Sequence, residues 1–477
     1  MSLPRLQLGF GMAFADLYAR EGLRRLDAAF LADLGARDDD LHARLEAARN
    51  DPNTLERLAE SEFLLALAPH LESFLARLFG IESEVAALRD RHRALDPLWE
   101  VKRNFVQRRA LKGAKPDAVS ATDGASLGRE LERLIGAPLT EQSFAEAVLA
   151  WERDPAANGK KLATAEAYAA WAVLAPEGRK RHGAGVLFRQ PGKLDHAHLV
   201  GHLATRTEEG FARHAIAEDR LRRREGFALT DPGADLVHAL DQANYCIWCH
   251  KQGKDSCSTG LREKKDGDGQ APPFRKSPGG VTLAGCPLAE KISEFQLLKA
   301  EGVPVGALAM IVVDNPLAAA TGHRICNDCM KSCVYQKQEP VNIPEVETRT
   351  LKDVLELPWG FEIYSLLTRW NPLNLCSPLP KPSTGHKVLV VGMGPAGFTL
   401  SHFLLNDGHA VVGIDGLKIE PLPAEISGVA GDGTRVPFQP IRDVCDLRES
   451  LDDRQMAGFG GVAEYGITVR WDKNFLK

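Results

Sequence analysis

HKVLVVGMGPAGFTLSHFLLNDGHAVVGID, residues 386–415, changes its hydrophobic period twice. A short β-branched run, Val388 to Val391, meets glycines at 392, 394 and 397. A helix-compatible segment follows, and then a second apolar run that ends at Asp415. Strand, glycine turn, helix and strand make the βαβ order that opens a Rossmann-type α/β fold. Gly392 permits a tight turn, Gly394 lets the backbone approach a pyrophosphate, and Gly397 lets the helix pack on the sheet. The helix start, with Pro395 and Ala396, is then aimed at the phosphates. Asp415, about 20 residues on, is placed to hydrogen-bond a ribose hydroxyl. The fingerprint alone does not separate FAD from a nicotinamide dinucleotide.

Upstream of this segment lies a proline-rich connector, NPLNLCSPLPKPSTG (371–385), and before it a region, 241–370, that holds seven of the 9 cysteines. These are Cys246, Cys249, Cys257, Cys286, Cys326, Cys329 and Cys333; Cys376 and Cys445 stand apart as structural thiols. A cubane iron–sulfur cluster needs one ligand for each of four irons, and soft thiolates suit iron. Seven thiols overfill one cluster and fall one short of two. Cys286 precedes Pro287, and in ferredoxin-type runs the Cys-Pro cysteine serves the second cluster of a pair. The competing reading is zinc, held by Cys246-x2-Cys249 together with Cys326-x2-Cys329, which leaves three thiols unexplained.

Residues 1–240 contain no cysteine, are rich in Ala, Leu, Glu and Arg, and read as all-α. In SEFLLALAPHLESFLARLFG, Leu64, Leu67, Leu71, Phe74, Leu75 and Leu78 form one helical stripe that Gly80 terminates. Further helices are expected from Thr140 to about Trp151 and from Thr164 to Leu174, each opened by a threonine cap. The insert STGLREKKDGDGQAPPFRKSPGG (258–280) is polar and rich in Gly and Pro, the composition of a surface loop.

The stretches CIWC, GCPLAEKISEF, NPLAAATGHRICNDCMKSC, PVNIPEVE, KVLVVGMGPAGF and GGVAEYGI occur in this order from about residue 240 to 477. In them the chain resembles the ferredoxin-like plus flavin module shared by the small subunit of NADPH-dependent glutamate synthase and the N-terminal half of dihydropyrimidine dehydrogenase. The resemblance implies an α-helical domain with two 4Fe-4S clusters at 241–370 and the start of an FAD-binding domain at 386–477. It implies Cys246, Cys249, Cys257 and Cys333 for one cluster, and Cys286, Cys326, Cys329 and Glu347 for the other. It further implies that Gly461 and Gly466, in GGVAEYGI, approach the flavin ring, and that NAD(P)H binds a downstream domain. The longer Cys249–Cys257 interval, the charged insert and the tight Cys326–Cys329 spacing depart from the family pattern. On this resemblance the chain is expected to be an N-terminal part of a longer flavoprotein, with the remainder in the same protein or in a separate redox subunit.

Composition bounds the rest. A net charge of -5 gives no whole-chain reason to expect nucleic acid. The most apolar run, VGALAMIVV at 305–313, is far shorter than the ~20 residues that cross a bilayer. The N-terminus lacks the features of a secretion signal, so a cytoplasmic location is expected. DHAHLVGH offers His196, His198 and His202, and KRNFVQRRALKGAK (102–115) is basic; both read as surface features rather than as metal or nucleic-acid sites. The expected function is electron relay from flavin through two clusters to a partner. The alternative is a zinc-stapled dinucleotide-binding module without redox turnover.

Overall fold

Apolar residues at three- and four-residue steps build the N-terminal helices. The computed structural model describes residues 6–52, 55–196, 198, 203–218, 221, 233–264, 271–319, 326–415, 424–428, 430, 432, 434 and 436–445. Four helices come first: α1 (Arg20–Arg37), α2 (Asp39–Asn50), α3 (Arg57–Phe79) and α4 (Glu82–Arg93). On α3 the stripe from Leu64 to Leu78 is fully buried. The helix stops at Gly80, whose φ of 64° lies in the left-handed region that glycine adopts freely.

A second group follows. Here α5 (Asp96–Val101) runs into a π-helical segment (Lys102–Ala110), and then come α6 (Pro116–Ser120), α7 (Gly124–Ile135), α8 (Glu141–Glu152), α9 (Pro155–Leu174) and α10 (Pro176–Arg181). Thr140 caps α8, its Oγ1 accepting from the Ser143 N–H at 3.0 Å. The cap expected at Thr164 is corrected: α9 begins at Pro155, because Asp154 accepts from the Ala157 N–H at 3.1 Å. Thr164 lies inside the helix and donates to the Lys160 carbonyl.

The all-α expectation for residues 1–240 is corrected as well. β1 (Leu203–Glu208) and β2 (Phe211–Ile216) pair antiparallel around Glu209 and Gly210, with φ values of 54° and 82°. Two left-handed residues make the turn whose twist suits a hairpin.

The middle of the chain carries α11 (Leu236–Tyr245), α12 (Ser256–Thr259), α13 (Ile292–Ala300), α14 (Pro304–Asp314), α15 (Asp328–Ser332), α16 (Ile343–Leu355) and α17 (Gly360–Leu367). Packing divides the chain differently from cysteine content. Helices α1–α4 share one core with α13, α14, α16 and α17, in which Phe30, Phe74 and Trp370 meet ring to ring. Helices α5–α9 build a separate core that Leu240 of α11 joins.

Buried charges fasten the first core. Glu72 of α3 is fully buried, accepts from Arg89 at 2.7 Å, and caps α14 by accepting from the N–H groups of Val305 and Gly306 at 2.8 and 3.2 Å. Lys299 of α13 is also fully buried, pairs with Asp353 of α16, and lies 3.0 Å from Nε2 of His92 on α4. The connector 371–385 packs on this core through Leu373 and Leu375, and Asn371 donates to the Ala309 carbonyl at 2.8 Å. The flanks of the charged insert are ordered by backbone hydrogen bonds, Leu261 to Leu283 and Arg275 to Leu261.

The last described unit is β3 (Lys387–Val391), α18 (Pro395–Asn406) and β4 (Ala410–Ile414), the strands pairing parallel with Val388 opposite Val411. Helix α19 (Ala424–Ser427) follows. Among the described residues, no helix is long and apolar enough to cross a membrane.

Candidate functional site

Two of the loops that carry cysteines hold unusual backbone. Trp248, between Cys246 and Cys249, has φ of 51°, and Ala289, three residues after Cys286, has φ of 52°. A left-handed conformation costs a residue with a Cβ about 1–3 kcal/mol and is retained where the surroundings demand it. In the first loop it turns the Trp248 N–H toward the Cys246 sulfur at 3.4 Å.

Cys246, Cys249, Cys257 and Cys333 fall into one neighbourhood. The Cys257 thiol hydrogen-bonds the Cys333 sulfur, which pulls Cys333 down to about 7 and holds Cys257 well above the usual thiol range. Burial pushes Cys246 up to about 12 and Cys249 up to about 11, and the charge of Cys333 adds to both. The backbone N–H groups of Tyr335 and Val341 point at Cys333.

A second neighbourhood joins Cys286, Cys329 and Glu347. Burial pushes Cys286 up to about 11, with the charges of Glu290 and Glu347 adding to it. Cys329 is raised by burial first and then by Cys286, Glu290 and Glu347. Glu347 lies on α16, is 7% exposed, and accepts from Asn315 Nδ2 at 2.7 Å. Burial lifts its carboxyl to about 7. Backbone N–H groups of Leu288 and Glu290 point at Cys286, and that of Met330 at Cys329. Cys326, expected in this set, is exposed, and its sulfur accepts from the Asp328 N–H at 3.4 Å.

Glu290 is the residue that sequence reasoning missed. It is 4% exposed, and its carboxyl is raised well above the usual range by burial and then by the charges of Glu347 and Asp314. Its position four residues after Cys286 was the available signal, outweighed by the usual exposure of glutamate.

Among the described residues, no three His, Cys, Asp or Glu side chains come close enough to hold a single metal ion. Zinc requires sulfurs at about 2.3 Å from one point. A cubane spreads its irons over four corners and takes sulfurs set farther apart. Soft sulfurs in two sets, oriented by backbone N–H groups, are the donor chemistry such clusters use. The two CxxC pairs also divide, since Cys246 and Cys249 neighbour Cys333 while Cys329 neighbours Cys286.

The glycine turn is tight at one end and open at its middle. Gly392 has φ of 97°, and a Cβ on Gly397 would lie 1.8 Å from the Gly392 carbonyl oxygen. A Cβ on Gly394 would meet nothing within 4 Å, so that position opens to space a ligand can enter. No side chain caps α18, which begins at Pro395 with Ala396 exposed beside it, and its first N–H groups face an anion's usual place. Asp415 holds the turn by accepting from the Met393 N–H at 2.6 Å. The sheet leaves Leu389, Val391, Val412 and Ile414 exposed, whereas parallel sheets are ordinarily covered on both faces. Gly461 and Gly466 lie outside the described residues, as does His202. His198 is exposed and 2.7 Å from Asp195. Cys376 and Cys445 are exposed.

Comparison with known proteins adds four findings. Residues 8–80 match the RP005 N-terminal alpha-helical domain family. The chain is 32% identical over 305 residues to RP005 of Rickettsia prowazekii (strain Madrid E), covering 62% of this chain and 99% of that protein. It is 56% identical over 160 residues to RP006 of the same organism, and 34% identical over 130 residues to the NADPH glutamate synthase small chain of Bacillus subtilis (strain 168). These two matches cover 34% and 27% of this chain, which spans 21% of RP006 and 23% of the Bacillus protein.

Proposed function

This chain belongs to the RP005 family, and we propose that it is the electron-relay part of an FAD and iron–sulfur oxidoreductase. The observation that carries the proposal is the sorting of the cysteines into two buried neighbourhoods, one of which includes the carboxylate of Glu347. The similarity to a glutamate synthase small chain supports a general redox role.

In this reading Cys246, Cys249, Cys257 and Cys333 hold one 4Fe-4S cluster within a domain spanning 241–370. Cys286, Cys329 and Glu347 hold the other, with Cys326 completing it from the surface. The glycine turn at 392–397 takes FAD. When bound, FAD would supply hydride acceptance from NAD(P)H, and the clusters would supply one-electron transfer. The chain's own work is to bind, space and insulate them. Backbone N–H groups directed at Cys246, Cys286, Cys329 and Cys333 stabilise thiolate charge, and the buried carboxylates of Glu290 and Glu347 set the charge beside the second set. The exposed face of β3 and β4 supports docking of further sequence, from the same protein or a separate redox subunit.

The test is the colour and metal content of the anaerobically purified chain. Broad brown absorbance that dithionite bleaches, with iron and acid-labile sulfide in equal amounts, is the expected result. A colourless protein that contains zinc overturns the reading.

A further inference from the structure

A cavity of about 430 Å³ opens between the π-helical segment and α11. The π winding builds its cationic wall. In an α-helix, residues five apart point about 140° from one another; the wider π turn brings i and i+5 onto one face. Lys102 with Gln107, and Arg103 with Arg108, therefore line the cavity together. Such π turns are rare and concentrate at functional sites.

The facing wall is aromatic. Tyr245 and Tyr335 stack at 4.6 Å with an interplanar angle of 8°, and Arg103 lies over Trp248 at 6.0 Å. Lys102 is committed to Asp241 at 2.5 Å. The two arginines instead hydrogen-bond neutral groups, Arg103 to the Asn244 carbonyl and Arg108 to the Asn104 side chain, each at 3.3 Å. Among the described residues, the buried indole N–H groups of Trp99 and Trp248 have no hydrogen-bond partner, and Trp99 is only 6% exposed. An unpaired buried donor is unfavourable, and a ligand acceptor would satisfy it.

We propose that this cavity binds a flat heteroaromatic anion of mononucleotide size. Its ring stacks on the aromatic wall, its polar edge accepts from the indole N–H groups, and its phosphate or carboxylate is held by Arg103 and Arg108. A cavity of this volume suits a single small ligand. The inference does not depend on the reading of the thiols, although Cys246 lines the same cavity.

Calorimetry on the full chain, purified anaerobically, provides the test with riboflavin 5′-phosphate, adenosine 5′-monophosphate and uncharged riboflavin as probes. At least one of the two phosphates is expected to bind, and more tightly than riboflavin. The R103A/R108A variant, altered at two exposed side chains, should weaken that binding about tenfold or more, while C376S, altered at an exposed thiol outside the cavity lining, leaves it unchanged. Which phosphate binds identifies the ring. Absence of binding by both phosphates, or equal affinity in the double variant, overturns the proposal.

Discussion

Asn315 donates its side-chain N–H to Glu347 Oε1 at 2.7 Å, at the end of a helix that begins on Glu72. Helix α14 spans 11 residues, about 16 Å, and is buried from Pro304 to Val312. Glu72 anchors its N-terminus from within the segment matching the RP005 domain family, and Asn315 follows its C-terminus. The N-terminal helices therefore position the carboxylate beside Cys286 and Cys329 through a rigid rod.

Glu347 can be tested by separating its charge from its reach. E347Q keeps an oxygen for Asn315 and for iron, and is expected to retain the parent's iron content. E347A should lose iron from one cluster and cost about 1 kcal/mol, because the buried hydrogen bond from Asn315 is removed. Iron analysis and urea unfolding read the two effects. Full iron content in E347A would remove Glu347 from the ligand set.

The partition of thiols makes a second prediction. C257S and C333S should each remove about half of the iron, as should C286S, while C376S and C445S change nothing. Combining C257S with C333S should cost no more iron than either alone. Combining C257S with C286S should remove nearly all of it, and metal analysis showing otherwise redraws the two sets.

The stripe on α3 and the glycine turn were legible because each depends on spacing within a few residues. The hairpin was not, since β1 and β2 are exposed at almost every position and bury no face whose alternation would betray them. The start of α9 was misjudged because two cap-compatible residues competed, and Asp154 with Pro155 outweighs Thr164. Glu290 and the docking of α1–α4 on the cysteine region depend on partners far along the chain, such as Ser61 with Glu294, 233 residues apart. Periodicity carries no information about such pairings.

The glycines at 394 and 397 should fail differently. G397A forces a Cβ to within 1.8 Å of the Gly392 carbonyl oxygen and should loosen α18 from the strands. G394A adds its methyl to open space, so the fold should survive while dinucleotide affinity falls. Circular dichroism with FAD titration separates the outcomes, and unchanged affinity in a folded G394A would place the dinucleotide elsewhere.

Lys299 and Asp353 offer a test of the core that unites the first helices with the cysteine region. K299M leaves Asp353 buried beside Arg349 with one cation fewer, and is expected to lower unfolding stability by about 3–5 kcal/mol. K299M/D353L should recover a large part of that loss, since apolar replacement of a whole buried pair is often close to neutral. Urea denaturation of both variants decides it, and a double variant as weak as the single would assign the network a further role.

His402 supplies a pH dependence. It is 5% exposed on α18, with Nε2 3.1 Å from Asn406 Nδ2, and burial pushes its imidazole down to about 3. The unfolded chain takes up this proton near pH 6.5, whereas the folded chain resists it until far lower. Stability is therefore complete above pH 6.5 and falls as the pH drops toward 3, by about 1.4 kcal/mol per unit and on the order of 5 kcal/mol in all. H402Q keeps an acceptor for the Asn406 N–H and does not titrate. The acid slope of unfolding, read by pulse proteolysis in urea at pH 7.5, 6 and 5, should be shallower in H402Q than in the parent. Equal slopes would mean that the imidazole is already solvated where α18 faces Thr368 and Asn371.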